Sequence, residues 1–215
     1  FEKIKTLDRD GVKTVILPML FKASESEVGL EKGLEILCNR ASEAIDHGAT
    51  ILVLSDKDMD AEQAPIPSLL ATGAVHHHLL RELTRTQVGL VVESGEPREM
   101  MHFALLIGYG AGGIYPYLAY ETVMDIAEKK IFVDKIDSEN ALKNFINSTR
   151  KGLFKIIAKM GISTIQSYRG AQIFEAVGLS EKLVDRYLTG TPSRVGGARL
   201  DAIAKESLAR HKEAF

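Results

Sequence analysis

A few residues in this chain could do chemistry. The turn Tyr168-Arg169-Gly170 presents a phenol and a guanidinium. A planar guanidinium takes a carboxylate or another anion through two parallel N–H···O bonds, and it pairs equally well with an acid across a domain boundary. Ser55-Asp56 and Glu93-Ser94 each close an apolar run. Polar groups at the carboxyl ends of parallel strands are where α/β proteins build sites, although carboxylates there also cap helices or bind a partner's arginines. His76-His77-His78 falls in a helical pattern. Consecutive helical side chains point about 100° apart, so three in a row cannot hold one metal ion from one face. His78 with Glu82 is only an i, i+4 pair. A packed ring with solvated neighbours is one reading of the triplet, and a place on an interface is the other. His102 follows the Glu93-Ser94-Gly95-Glu96 stretch.

Two apparent motifs carry less. Gly108, Gly110 and Gly113 satisfy G-x-G-x-x-G. A dinucleotide site needs that pattern after a strand and before a helix, with the helix N-terminus facing the phosphates. Here it follows a helical pattern and precedes a strand, so a helix-to-strand connection is expected. No Gly-x-Ser-x-Gly elbow occurs, and Ser94 lies in Glu-Ser-Gly-Glu instead. Cys38 sits in the helical pattern LEILCNRASEAI and reads as a small buried hydrophobe.

These residues need elements to position them, and a βα rhythm supplies those. Val12–Leu20, Thr50–Leu54 and Val88–Val92 are continuous apolar runs, as strands covered on both faces should be. Gly113–Tyr117 is a weaker fourth strand and Ile162–Ile165 a fifth. Helical periodicity covers Val28–His47, Pro67–Arg85, Glu96–Ile107 and the stretch up to Lys129. Asp134–Met160 reads as one long helix with Ser138 as its N-cap and Gly152 inside it. Ile173, Phe174 and Val177 share a helical face that stops at Gly178. Gly197–His211 carries a stripe of Leu200, Ile203, Ala204 and Leu208. Alternating strands and helices with short links predict α/β: a parallel sheet of about five βα units, either a partial TIM-barrel-like arrangement or an open sheet.

The chain has 215 residues, 45% of them hydrophobic, with a net charge of −2. That length suits one domain. The charge gives no case for nucleic acid or a membrane surface, and no apolar run reaches the ~18–20 residues a membrane helix needs. One cysteine cannot form an internal disulfide, which fits a reducing, cytoplasmic setting. The chain opens on Phe1 almost directly before a strand and closes on a helical pattern, so both ends read as cuts in a longer polypeptide. The stripe of the last helix is then expected to lack its partner, leaving the C-terminus disordered or covered by a second copy.

Three long blocks carry a resemblance. His47–Asp60 reads HGATILVLSDKDMD, Ala64–Gly112 reads APIPSLLATGAVHHHLLRELTRTQVGLVVESGEPREMMHFALLIGYGAG, and Lys159–Leu179 reads KMGISTIQSYRGAQIFEAVGL. In that order they resemble the central domain of the glutamate synthase large subunit, from about Asp8 through TPSRVGGARLDAIAKE at Thr191–Glu206. The resemblance covers the C-terminal two-thirds of that domain, up to the start of the FMN-binding domain. It implies residues 1–190 as the central α/β domain and residues 191–215 as a helical connection toward the FMN-binding barrel. Tyr115 stands where the family pattern has Asn before Pro-Tyr-Leu-Ala.

The family's enzyme makes two glutamates from glutamine and 2-oxoglutarate, passing ammonia from a glutaminase domain to a barrel with FMN and an iron–sulfur cluster. Its partners would be those two domains, with ferredoxin or a small electron-donor subunit. The family's glutaminase uses an N-terminal cysteine and its cluster needs three; this chain begins with Phe1 and holds only Cys38. The expected role is therefore a scaffold, with no cofactor of its own. His76, His78, Glu93, Tyr168 and Arg169 are its candidate interface or channel-lining residues. The competing expectation is a freestanding small-molecule α/β enzyme with Asp56, Glu93 and Arg169 on one rim.

Overall fold

The computed structural model describes residues 1–9, 11–131 and 136–215. After a single helical turn, α1 (Glu2–Lys5), the chain enters β1 (Asp8–Arg9) and β2 (Val12–Pro18). The expected strand Val12–Leu20 divides here, because Leu20–Lys22 forms β3 in a separate small sheet. Helix α2 (Ser26–Asp46) leads to β4 (Ile51–Ser55) and to β5 (Gln63–Pro65), which pairs with β3. Helix α3 (Ser68–Arg81), β6 (Gly89–Glu93), α4 (Met100–Gly108), β7 (Gly113–Tyr115) and α5 (Tyr117–Glu128) continue the βα rhythm. Then follow α6 (Ser138–Lys159), α7 (Ile165–Tyr168), β8 (Ala176–Leu179), α8 (Glu181–Tyr187), β9 (Ser193–Ala198) and α9 (Leu200–Ala214).

The main sheet has the order β1-β2-β4-β6-β7. Its last four strands are parallel, and β1 joins antiparallel at one edge. It is an open α/β sheet, not a closed barrel. Leu52, Val53 and Leu54 are all fully buried, so β4 is covered on both faces, as its unbroken apolar run requires. On one face Leu30, Leu34 and Leu37 of α2 meet Leu52, Leu54, Leu90 and Val92 in a single core.

Three expectations fail locally. Ile162–Ile165 is not a strand. Thr164 caps α7 instead, its hydroxyl accepting from the Ser167 N–H at 3.2 Å. A Thr side chain that closes a local hydrogen bond competes with a ladder, and here the ladder loses. The segment holding Ile173, Phe174 and Val177 is not a helix. Phe174 packs against Tyr109 and Tyr168, and Val177 lies in β8, parallel to β9. Such a short apolar run fits either period. The N-cap of α6 is Asp137, not Ser138: its carboxylate accepts from the Asn140 N–H at 2.8 Å. Part of the expected Asp134–Met160 helix lies outside the described residues.

The C-terminal segment also departs from expectation. It begins with β9 before the helix. Helix α9 packs back on α2, with Ala204, Ser207 and His211 buried and Leu200, Ile203 and Leu208 against the core. Ser207 donates to the Pro65 carbonyl at 2.9 Å, and His211 Nε2 donates to the Asp60 carbonyl at 2.6 Å. The stripe needs neither disorder nor a second copy to leave water.

Candidate functional site

Parallel strands bring their carboxyl ends to one rim, and three acids gather there. Glu93 ends β6 and is 1% exposed. Its oxygens accept from Ser55 Oγ at 2.7 Å and from Lys5 Nζ at 2.7 Å. Asp56, just past β4, is also 1% exposed. It accepts from Ser94 Oγ at 2.6 Å and from the Gly95 N–H at 3.2 Å, and the Tyr117 phenol lies against it. Burial pushes the Asp56 carboxyl up to about 6, and those donors only partly offset the rise. Burial, with Asp56 beside it, also raises the Tyr117 hydroxyl. Glu96 accepts from the Ser68 N–H at 2.6 Å, so it caps the N-terminus of α3, where the helix dipole favours an anion. Next to these groups a cavity of about 410 Å³ opens between the rim, α4, α5 and α9.

The other expected residues lie elsewhere. Arg85 donates to His76 Nδ1 at 2.9 Å, to the Val88 carbonyl at 2.8 Å and to the Gly110 carbonyl at 2.7 Å. Those carbonyls sit at the amino ends of β6 and β7. The Arg169 guanidinium lies beside Gly112 at the same end. Arg169 therefore cannot join Asp56 and Glu93, and the freestanding-enzyme reading loses its third residue. The structure does bring His76 and Arg169 together. Burial first, then Arg85, His77 and Arg169, holds His76 down to about 3, so the ring is neutral. Its Nδ1 accepts from Arg85, which leaves the proton on Nε2. His78 bonds Ser42 at 2.8 Å. Tyr168 is fully buried and its hydroxyl has no hydrogen-bond partner among the described residues.

The glycine loop is occupied by the protein itself. Gly110 has φ +110°, and the His76 ring fills the space a side chain there would need. The N–H groups of Gly110, Ala111 and Gly112 donate to the carbonyls of Ile107, Leu106 and Leu90 at 3.0, 2.9 and 2.7 Å, so the loop has none of these donors free for a phosphate. Among the described residues no group of three or more His, Cys, Asp or Glu could hold a metal ion, and a three-cysteine cluster does not fit a chain with one cysteine. No helix among the described residues is long and apolar enough to cross a membrane.

Sequence reasoning does not reach Lys5, Arg85 and Tyr117. Lys5 carries no sequence signal for a partner 88 residues away. Tyr117 has a weak one: it opens the helix that follows a strand end, where a side chain faces the rim.

The open, mostly parallel sheet, with its rim acids hydrogen-bonded within the domain, defines an α/β domain. The chain belongs to the glutamate synthase central domain family, whose model matches residues 1–180. It is 47% identical over its whole length to the glutamate synthase [NADPH] large chain of Bacillus subtilis, covering 14% of that protein. It is 46% identical to ferredoxin-dependent glutamate synthase 2 of Synechocystis over 86% of this chain and 13% of that one. It is 38% identical to glutamate synthase [NADH] of Schizosaccharomyces pombe over its whole length and 10% of that protein. The chain thus spans 10% to 14% of the length of these relatives. Among solved structures, a flavocytochrome b2 double mutant with pyruvate bound is similar at 13% identity and a TM-score of 0.46, covering 77% of this chain and 41% of that one, a likeness too loose to argue from.

Proposed function

We propose that this domain is the scaffold between the glutaminase and FMN domains of a chain that makes two glutamates from glutamine and 2-oxoglutarate, and that it performs no catalytic step itself. The observation that carries this reading is the self-satisfied rim. Glu93 is taken by Lys5 and Ser55, Asp56 by Ser94 and Gly95, and Glu96 by the start of α3. A catalytic acid needs an open lone pair or proton facing substrate. FMN and the iron–sulfur cluster would belong to the neighbouring barrel, because neither the glycine loop nor Cys38 suits them. His76, His78 and Arg169 would serve contacts with the neighbouring domains or the path between them, while the fully buried Tyr168 and Glu93 would act within the domain. Residues 191–215 would lead toward the barrel, even though α9 folds back on α2.

The domain would serve any electron donor. Relatives named for NADPH and for ferredoxin are 47% and 46% identical to it, and a scaffold role would suit either donor. A cytoplasmic setting fits the single, half-buried Cys38. The test is coupling in a full-length relative that carries this domain. Arg169→Ala there should raise the glutamine hydrolysed per 2-oxoglutarate consumed while the melting temperature holds. An unchanged ratio, with glutamate synthesis intact, would remove the interface role.

A further inference from the structure

The cavity at the carboxyl rim has a wall that the scaffold role leaves unused. Asp56 and Glu96 line it as charged groups, each already hydrogen-bonded within the domain. Asp56 Oδ1 receives the Gly95 N–H at 3.2 Å, and the Tyr117 phenol lies against the same carboxylate. Glu96 Oε2 takes the Ser68 N–H, while its Oε1 lies 3.8 Å from Arg210, beyond hydrogen-bond reach. The opposite wall is the start of α4. His102 Nδ1 accepts from the backbone N–H groups of Arg98 at 3.2 Å and Glu99 at 3.4 Å. A backbone N–H can only donate, so the His102 proton must sit on Nε2, and no hydrogen bond from Nε2 is made among the described residues. The exposed Arg98 stands beside it. Leu105 and Leu118 give the space between an apolar surface.

We propose that this cavity binds a small zwitterion, its ammonium at Asp56 and Glu96 and its carboxylate at His102 and Arg98, with a short aliphatic part against Leu105 and Leu118. A simple anion would meet two acids, and a simple cation would meet two arginines and a helix N-terminus. Only a ligand with both charges is complementary to both walls. The volume of about 410 Å³ suits such a molecule. Helix α9 contributes Ser207, Arg210 and His211 to the lining, so occupancy would add contacts that hold α9 in place.

The test titrates the purified chain with L-norvaline, pentylamine and pentanoate in calorimetry and thermal-shift measurements. L-Norvaline should bind at one site with a Kd on the order of 1 mM, and each half-molecule at least about tenfold more weakly. Arg98→Ala should weaken L-norvaline about tenfold and leave pentylamine unchanged. Leu105→Trp, which fills the cavity, should abolish L-norvaline binding while circular dichroism stays native. The proposal is overturned if L-norvaline does not saturate, if pentylamine or pentanoate binds as well, or if binding survives Leu105→Trp. Should Leu105→Trp not fold, the Arg98→Ala comparison decides alone.

Discussion

Replacing Asp56 with asparagine should change the pH dependence of stability more than stability itself. Asp56 is 1% exposed, and burial raises its carboxyl from 3.8 to about 6. A carboxyl whose folded pKa lies above its unfolded value binds its proton more tightly in the folded state. Its favourable contribution is therefore complete below the unfolded value and is lost as pH rises through the folded one. The interval between 3.8 and about 6 corresponds to roughly 3 kcal/mol, at about 1.4 kcal/mol per pKa unit. The amide of the Asp56→Asn variant would keep an acceptor for the Gly95 N–H and cannot ionise. Urea unfolding of both proteins, followed by circular dichroism from about pH 4 to pH 7, measures the difference directly. The stability of Asp56→Asn minus that of the parent should rise by roughly 3 kcal/mol across that range, most of it before about pH 6. A flat difference would refute the argument. A difference of opposite sign would show that the bonds from Ser94, Gly95 and Tyr117 outweigh desolvation.

Other substitutions probe the packing around the sheet. Lys5→Met leaves Glu93 buried at 1% exposure without its cation, so unfolding should shift by about 3 kcal/mol in the same urea assay. Gly152→Ala should change stability by less than about 1 kcal/mol, because the half-exposed Met100 side chain whose sulfur stands in the way can swing aside while alanine favours the helix; the melting temperature of the variant reads it. Arg186→Ala removes bridges to Glu31 at 2.7 Å and Glu35 at 2.9 Å, yet these groups are solvated and the cost should stay within about 1 kcal/mol, shrinking in high salt. Arg169→Ala should leave the melting temperature of this chain nearly unchanged, within about 0.5 kcal/mol of stability; a loss above about 2 kcal/mol would make it an internal structural residue.

The parallel sheet is legible because its central strands are unbroken apolar runs, and full coverage leaves no other pattern. TILVL and VGLVV could hardly be anything else, and the helices between them carry a clear 3.6 period. Legibility ends after Lys159. There ISTI and QIFEAVGL are too short to distinguish periods, and Thr164 and Phe174 settle the matter through contacts no local window shows. The rim follows the same division. Asp56, Glu93 and Ser94 can be placed from topology, since strand ends dictate where they meet. Arg169 is misplaced by the sequence because its position depends on the end of a strand that does not form. Lys5 is invisible because its partner is set by the fold, not by spacing. The stripe of α9 is apolar as its spacing implies, but its partner is α2 of the same chain.

The scaffold claim is tested most directly on the purified chain supplied with glutamine and, separately, with FMN. After dialysis it should keep no flavin absorbance, and it should release no glutamate from glutamine above a buffer control. Retained flavin, or glutamate release that Asp56→Asn or Arg169→Ala abolishes, would contradict the account and return chemistry to this domain.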